Sequence, residues 1–485
     1  MNPPEGIGAA GQQAGQPFPY AARAEGNRAA GLGSMKRTTG VGSHASATAT
    51  RRAPLVETLE SRVHLSGTND PMLASQYALA SAGVPAAWDT TRGSTAVVVA
   101  DIDTGVDYTH PDLYLNVWIN QAEIPPAVKP KLVDTDGDGR ISFYDLNDPA
   151  NASLTSDANG NGYVDAGDLL RPIEEGGWED GVNGRSNPAD VYTDDIVGWD
   201  YADNDNNPLD DAVTGAGHGT HTAGIIGAAG DNGVGISGVA QKVSMMLVRI
   251  FGDAGGSAPS AQIAAAIRYT ADNGSRVANA SWGVSEGRNG DVVYRAIAYA
   301  GQKGELLVAA SGNSGWDLDS RLQNNYPAEY DLPNIVAVGA TTREGERASY
   351  SNYGASAVDV AAPGTAILST LPGGRYGALS GTSMAAPLVT GTAALMLSAN
   401  PSLTVAQLRQ RLVRGADRSG ELNNFSVSDG KLNAVNAVLN QKGSRFVGPV
   451  SAAAKPAPVR MADALRLTLT RTGFFSVRAI LSNSK

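Results

Sequence analysis

Ser380-Gly381-Thr382-Ser383-Met384-Ala385-Ala386-Pro387 joins a Gly-rich turn to the apolar run 388–397, and that run reads as a buried helix. A serine at a helix start sits in the positive end of the helix dipole, beside free backbone N–H groups able to hold a developing oxyanion. Ser383 is therefore placed like a nucleophile. Pro387 has no N–H to return to the Ser383 carbonyl, which predicts an irregular first turn open toward a ligand. A Ser/Thr cap on a core helix is the plainer reading of the same residues. A base, an acid that orients it and an oxyanion donor are needed from elsewhere in the chain.

The composition narrows the field. A chain of 485 residues can bury a large core; 58 glycines and 18% charged residues suit a turn-rich globular protein. The absence of cysteine removes disulfides, thiolate metal sites and cysteine nucleophiles together. The net charge of -11 is concentrated in Asp-rich segments between 134 and 211, which disfavours nucleic acid as a partner and favours bound cations. No apolar run reads as long enough for a transmembrane segment.

Outward from the opening stretch, Thr95-Ala96-Val97-Val98-Val99-Ala100-Asp101-Ile102-Asp103-Thr104-Gly105 reads as a buried parallel-type strand ending in an acid and a glycine. Apolar strands follow at 243–250, 276–281, 305–310 and 335–339, alternating with helical segments near 222–229, 260–273, 291–303 and 384–398. This is a doubly wound α/β pattern: a mostly parallel sheet flanked by helices, with sites expected at the strand C-termini.

His218-Gly219-Thr220-His221-Thr222-Ala223-Gly224 opens a helix of small and apolar residues. Its two histidines are three apart, whereas a zinc helix spaces them by four around a glutamate, so metal ligation is the weaker reading. Ala309-Ala310-Ser311-Gly312-Asn313-Ser314-Gly315 ends another strand in a turn, and Asn313 has the chemistry of a side-chain oxyanion donor or of an ordinary turn residue. The candidates therefore run Asp103, His218, Asn313, Ser383.

That order, with Asp103-Thr104-Gly105, His218 to Gly224, Ala309 to Gly315 and Gly381 to Pro387, resembles the subtilisin-like serine proteases, thermitase-like members included, from about Asn69 to Asn440. The resemblance implies a serine endopeptidase acting on protein or peptide substrates as a monomer. Ser383 would be the nucleophile, His218 the general base and acid, Asp103 its orienting partner and Asn313 an oxyanion donor, with His221 structural. It also implies that Ser281, Trp282 and Gly283, with Gly255 and Gly256, bind substrate backbone along strand edges, and that Asn325 shortens a side-chain pocket where relatives commonly carry glycine. Asp101 departs from the family, which usually has an apolar residue there. Period two aims it at the same face as Asp103, as a solvated group, a cation partner or a modifier of His218.

Asp103 and His218 are 115 positions apart, far more than in the short subtilisins, and the excess reads as an insertion over about 114–199. Within it, Asp134, Asp136, Asp138, Arg140, Ser142 and Asp145 occupy positions 1, 3, 5, 7, 9 and 12 of an EF-hand-like loop, position 7 acting through its backbone carbonyl. Asp157, Asn159, Asn161, Tyr163, Asp165 and Asp168 repeat the pattern. Both loops end in Asp rather than Glu, which reaches less far; a solvated acidic turn is the alternative to Ca2+. The resemblance adds two more calcium sites: a thermitase-like loop at Asp200, Asp203, Asp205 and Asn207, and the family's strong site on Asp70, Asp112, Asn232, Val234 and Ile236, the last two through carbonyls. One extra residue near Gly230 departs from the family's register.

The remaining segments flank a peptidase domain expected over 69–441. Residues 1–68 lack periodic apolar positions and read as a disordered export or sorting segment; Leu59-Glu60-Ser61-Arg62-Val63-His64-Leu65-Ser66 resembles a short N-terminal motif of exported bacterial proteins, with His64 as a departure. Residues 442–485 read as a tail with a short strand pair. A secreted or cell-surface calcium-stabilised peptidase is the principal expectation, and a catalytically silent calcium-binding surface module the alternative. An esterase is disfavoured, because Ser383 lacks a G-x-S-x-G elbow.

Overall fold

The computed structural model describes residues 68–446 except 182–190, 211–216, 253–256, 285–286, 289 and 321, together with 465–469 and 475–479. The expected N-terminal segment 1–68 lies almost wholly outside the described residues, as does most of the tail.

Strand β1 (Gly93–Asp103) is the centre of the fold. Its run of valines favours extended backbone, and alternate side chains enter two different cores. Val97 and Val99 join one apolar cluster, while Val98, Ala100 and Ile102 join another. By the same alternation Asp101 and Asp103 share the face of Val97 and Val99.

Around β1 lie β2 (Gly198–Asp200), β3 (Lys242–Arg249), β4 (Val277–Ala280), β5 (Leu306–Ala310), β6 (Ile335–Thr341) and β7 (Val360–Pro363), all paired in parallel in the order β7-β6-β5-β4-β1-β3-β2. The chain leaves β1 toward β3 and β2 on one side and later returns to β4 on the other. β1 therefore stands at a switch point, where the C-terminal ends of strands open a crevice. Beyond β7 the sheet continues through β11 (Gly430–Lys431), β10 (Asp417–Ser419) and β12 (Arg445–Phe446). An antiparallel hairpin, β8 (Ile367–Leu371) with β9 (Arg375–Leu379), leads into the Ser383 segment. In the tail, β13 (Leu465–Leu469) pairs antiparallel with β14 (Phe475–Ala479), as the period-two pattern there predicts.

Two short helices, α1 (Tyr77–Ser81) and α2 (Val84–Ala87), precede β1. The connection between β1 and the His218 helix carries α3 (Phe143–Leu146) and α4 (Ala166–Leu169). One face of the sheet is covered by α5 (His218–Gly227) and α8 (Thr382–Ala399), the other by α6 (Ser260–Asp272) and α7 (Val292–Lys303); α9 (Val405–Gly415) and α10 (Ala434–Val438) follow. α8 is long and apolar enough to cross a membrane by length and composition, but it is mostly buried in the core against β1 and β4 to β7.

Two helices start earlier than the hydrophobic pattern predicts. α5 begins at His218 rather than near 222, because Gly217 adopts a left-handed conformation (φ 70°) and turns the chain into the helix there. α8 begins at Thr382 and runs through Pro387 without interruption, so the expected irregular first turn is absent.

The seat of α5 depends on Gly219, where an added Cβ would collide with the carbonyl of Gly105 and lie 3.2 Å from the Asp103 Cβ. Gly219→Ala is expected to push α5 off the end of β1 and to cost about 1–3 kcal/mol, as overpacking does. Thermal denaturation checks this: an unchanged melting temperature would mean that the helix has room to spare.

Candidate active site

β1 delivers Asp103 at its last position, and α5 delivers His218 at its first. His218 Nδ1 lies 2.7 Å from Asp103 Oδ1. The Asp103 side chain is 2% exposed and the imidazole 29%, so the carboxylate is sealed while the ring keeps an open edge. Asp103 Oδ1 also accepts the Thr104 N–H at 2.8 Å. With Nδ1 held on the carboxylate, Nε2 is the ring nitrogen available for proton transfer. Burial opposes the imidazolium, but the charge and hydrogen bond of Asp103 outweigh it, and the His218 pKa lies above the ordinary histidine value.

α8 supplies Ser383 in its first turn. Pro387 cannot donate to the Ser383 carbonyl, and the Ser281 hydroxyl does so instead at 2.8 Å. The Ser383 hydroxyl donates in return to the Ser281 carbonyl at 2.9 Å, so the two serines brace one another. Asn313, exposed in the turn after β5, accepts the Thr382 N–H at 2.8 Å and the Thr382 hydroxyl at 3.0 Å through Oδ1. Its Nδ2 is thereby turned toward the space beside Ser383. A Cβ on Gly381 would lie 3.4 Å from Asn313 Nδ2 and 3.6 Å from both Asn313 Oδ1 and the Ser383 nitrogen, so the Asn313 amide and the Ser383 N–H border one small volume. Two nitrogen donors around one such volume can hold an oxyanion. His221 has a different role. It is buried beneath β9, with Nε2 3.2 Å from the Gly377 carbonyl, and burial pulls its pKa down to about 4.

The three segments expected to line a side-chain pocket come together. Asn325 donates to the Ala310 carbonyl at 3.1 Å, and its side chain occupies the space that a Cβ on Gly283 would need, beside Gly312. Ser281 is buried, and the Trp282 indole donates to the Ile102 carbonyl at 2.9 Å, so the Trp282 side chain serves the core and only its backbone can face a ligand. Gly255 and Gly256 lie outside the described residues.

The acidic candidates divide into three situations. Asp70, Asp112, Asn232, Val234 and Ile236 are brought together: Asp112, fully buried, accepts the Ile236 N–H at 2.8 Å and the Asn232 amide at 2.8 Å, and Asp70 accepts the Asn232 N–H at 3.2 Å. Burial, and to a smaller extent the nearby charge of Asp70, carry the Asp112 pKa up to about 6 against the donors that approach it; two carboxylates beside an asparagine side chain are oxygen ligands of the type an oxygen-seeking cation such as calcium takes. In the first inserted loop Asp134, Asp136 and Asp138 converge within 4.8 Å. Positions 9 and 12 do something else: Ser142 and Asp145 form the capping box of α3, with Asp145 accepting Ser142 N–H and Thr135 N–H. Asp165 and Asp168 cap α4 in the same way, and Asn159 and Asn161 turn their amide nitrogens to Asp165 at 3.1 and 2.6 Å, while Asp157 accepts backbone N–H groups of its own loop. The backbone position of Arg140 donates to Asp138, and the Tyr163 hydroxyl ties its loop to the Thr109 carbonyl.

In the third situation the carboxylates already have a partner within the chain. Arg249, 4% exposed at the end of β3, ion-pairs with both Asp200 and Asp203, so two of the four residues assigned to the thermitase-like loop already have a cation from within the chain. Asp205 and Asn207 remain as oxygen donors there, with Asn207 accepting the Tyr108 hydroxyl at 2.8 Å. Arg249 carried no motif, and its partners are about fifty positions away. Thr382 lies within the quoted motif, but its role was missed because a hydroxyl beside Ser383 shows no function until its partner Asn313 is in place.

The Subtilase family profile matches residues 94–442. Thermitase of Thermoactinomyces vulgaris is 40% identical over 254 residues, 52% of this chain and 85% of that protein. A thermophilic serine proteinase of Bacillus sp. (strain AK1) is 34% identical over 353 residues, 73% of this chain and 64% of that protein. Among solved structures, a protease of Pseudoalteromonas arctica PAMC 21717 aligns with a TM-score of 0.52 and 29% identity, covering 77% of this chain and 99% of that one.

The volume bordered by Asn313 and Ser383 yields a direct test. Gly381→Ala, whose backbone is extended and accepts any residue, is expected to leave melting unchanged and to slow phosphonylation of Ser383 about ten-fold or more by crowding that volume. Equal labelling rates for variant and wild type would remove this space from the reaction.

Proposed function

The chain belongs to the Subtilase family of serine proteases, and from that premise we propose that it is a serine endopeptidase using Asp103, His218 and Ser383, with Asn313 as oxyanion donor. The observation that carries the assignment is the sealed 2.7 Å contact between Asp103 and the open-edged imidazole of His218. In this reading the Ser383 hydroxyl turns from the Ser281 carbonyl to the scissile carbonyl as His218 Nε2 takes its proton. The C–O bond forms, and the oxyanion rests on Asn313 Nδ2 and the Ser383 N–H. His218 returns the proton to the leaving amine, and water repeats the sequence on the acyl-enzyme. Asp103 keeps the imidazole in the required tautomer and stabilises the imidazolium.

Substrate backbone would align along the edges near Ser281 to Gly283, with Asn325 at the base of a shortened pocket that takes small or medium side chains in preference to Trp or Arg. The peptidase domain spans about 69–441, with the segment 114–199 as an insertion. Export to the cell exterior or surface follows from the motif-like stretch 59–66. Calcium would be held at Asp70, Asp112 and Asn232 with the Val234 and Ile236 carbonyls, and at Asp134, Asp136 and Asp138. There it neutralises clustered carboxylates that otherwise repel one another in the folded chain.

Ser383→Ala is expected to abolish casein hydrolysis with the fold intact, and Asn313→Ala to lower kcat by about 100-fold with little change in KM, because its amide meets charge present mainly in the transition state. Full cleavage by the Ser383 variant would sink the assignment. Calcium binding without fluorophosphonate labelling of Ser383 would instead indicate the silent surface module.

Excess calcium should stabilise by about 2.7 kcal/mol per site at 100 times Kd. Calorimetry with and without chelator is expected to show a lower melting temperature after chelation, and Asp136→Ala with Asp138→Ala should remove part of that shift. A melting temperature unmoved between about 1 µM and about 10 mM calcium would leave these residues as acidic turns.

A further inference from the structure

Asp101 is 1% exposed, two positions before Asp103 on the same face of β1. No basic side chain among the described residues pairs with it. Its Oδ2 accepts the Thr222 hydroxyl at 2.8 Å and its Oδ1 accepts the Asn279 amide at 2.9 Å. Thr222 stands one turn after His218 on α5. Asn279, on β4, also donates to the Ser281 hydroxyl at 3.0 Å and accepts the Thr390 hydroxyl of α8 at 3.2 Å. Ser281 in turn holds Ser383 through both of its polar atoms. A single buried carboxyl thus links the helix that carries the base to the strand that braces the nucleophile. An apolar side chain would fill the space without making either bond.

We infer that Asp101 is a positioning residue of the hydrolytic site: it ties the His218 helix to the Ser281–Ser383 brace and, by holding or releasing a proton beside Asp103, it displaces the acid limb of the reaction. This rests on the serine-protease reading above. Burial, and then the neighbouring charge of Asp103, carry the Asp101 pKa up to about 7. The titratable groups around it are Asp103 on its own strand and His218 on α5, with Asp210 ahead of α5 adding to the field at His218. Among the described residues the facing elements contribute no others: Leu247 is its register partner on β3, Asn279 its partner on β4, and Thr390 reaches in from α8. Arg249, opposite Asp103 on β3, is engaged by Asp200 and Asp203.

The sign follows from these neighbours. An ionised Asp101 supports the imidazolium and raises the His218 pKa; a protonated Asp101 does not. Protons on the two groups therefore compete, and the acid limb involves two sites instead of one. Removing the carboxylate withdraws support from the imidazolium, so the His218 pKa falls and the limb moves to lower pH.

The experiment measures the second-order rate of Ser383 phosphonylation against pH in the full chain. Asp101→Asn keeps volume and the acceptor for the Asn279 amide, and its NH2 can donate to a Thr222 hydroxyl that turns to the Gly219 carbonyl; without the charge, the acid limb is expected to move down by about half a pH unit or more and to become a single-site ionisation. Asp101→Val should also lower the limiting rate about ten-fold, since both ties are lost. Thr222→Val, which leaves β1 untouched, should lower the limiting rate several-fold and keeps the test open if neither Asp101 variant folds. Wild-type labelling with superimposable limbs for wild type and Asp101→Asn would overturn the role of Asp101 alone. A wild-type chain that never labels at Ser383 would overturn the serine-protease reading and this inference with it.

Discussion

A helix can be lowered onto the end of a strand only where no side chain stands between them, and the structure depends on that condition at Gly219. With only hydrogen on its Cα, α5 settles against the Gly105 carbonyl, and the imidazole of His218 reaches the carboxylate at the end of β1. The same constraint fixes what lies behind the pair. Thr222, one turn along, falls within hydrogen-bond distance of Asp101, and the underside of α5 closes over both carboxylates. Helix and strand each arrive by their own hydrophobic pattern, but the contact between them is set by one missing methyl group.

Buried carboxylates recur through this molecule, and each is met differently. Asp103 faces an imidazole; Asp200 faces the guanidinium of Arg249, which it shares with the exposed Asp203; Asp359 faces Arg409. Asp101 and Asp112 receive only neutral donors. A buried anion without a countercharge is costly, so such groups either keep a proton or take up a cation. In both, the pKa stands well above the ordinary carboxylate value. Asp101 lies beside Asp103 and His218, whereas Asp112, at the far end of the loop that follows β1, lies with Asp70 and Asn232 in a cluster that suits a metal ion.

The inserted loops illustrate how a motif can serve two purposes. A residue of Ser or Asp at position 9 with Asp at position 12 is a calcium-loop signature and also an N-cap with its N3 acid. The backbone N–H groups at the start of α3 and α4 need acceptors in either case. Among the described residues of the two loops, the triplet Asp134, Asp136 and Asp138 is the one that converges as a group of carboxylates. The first loop is also anchored to the start of β1, where the Thr95 hydroxyl donates to Asp138 at 2.5 Å, while the second is anchored after its end, through Tyr163 and the Thr109 carbonyl. The two acidic loops thus grip the central strand on both sides of its length.

The doubly wound sheet, its principal helices and the order Asp103, His218, Asn313, Ser383 were legible from sequence alone, because periodicity and local turn chemistry are properties of neighbouring residues. So was the shared face of Asp101 and Asp103, which follows from the strand period of two. The short strands β2, β7 and β10 to β12 were not, since two to four residues carry too little pattern to separate a strand from a turn. Nor were the earlier starts of α5 and α8, which depend on Gly217 and on contacts of the first turn rather than on apolar spacing. Tertiary structure alone decided which donor replaces the amide that Pro387 lacks, which cation neutralises Asp200, and which groups receive the Asp101 carboxyl. Those partners lie roughly 50 to 180 positions apart, and a hydrogen bond between residues so distant leaves no mark on the local sequence of either.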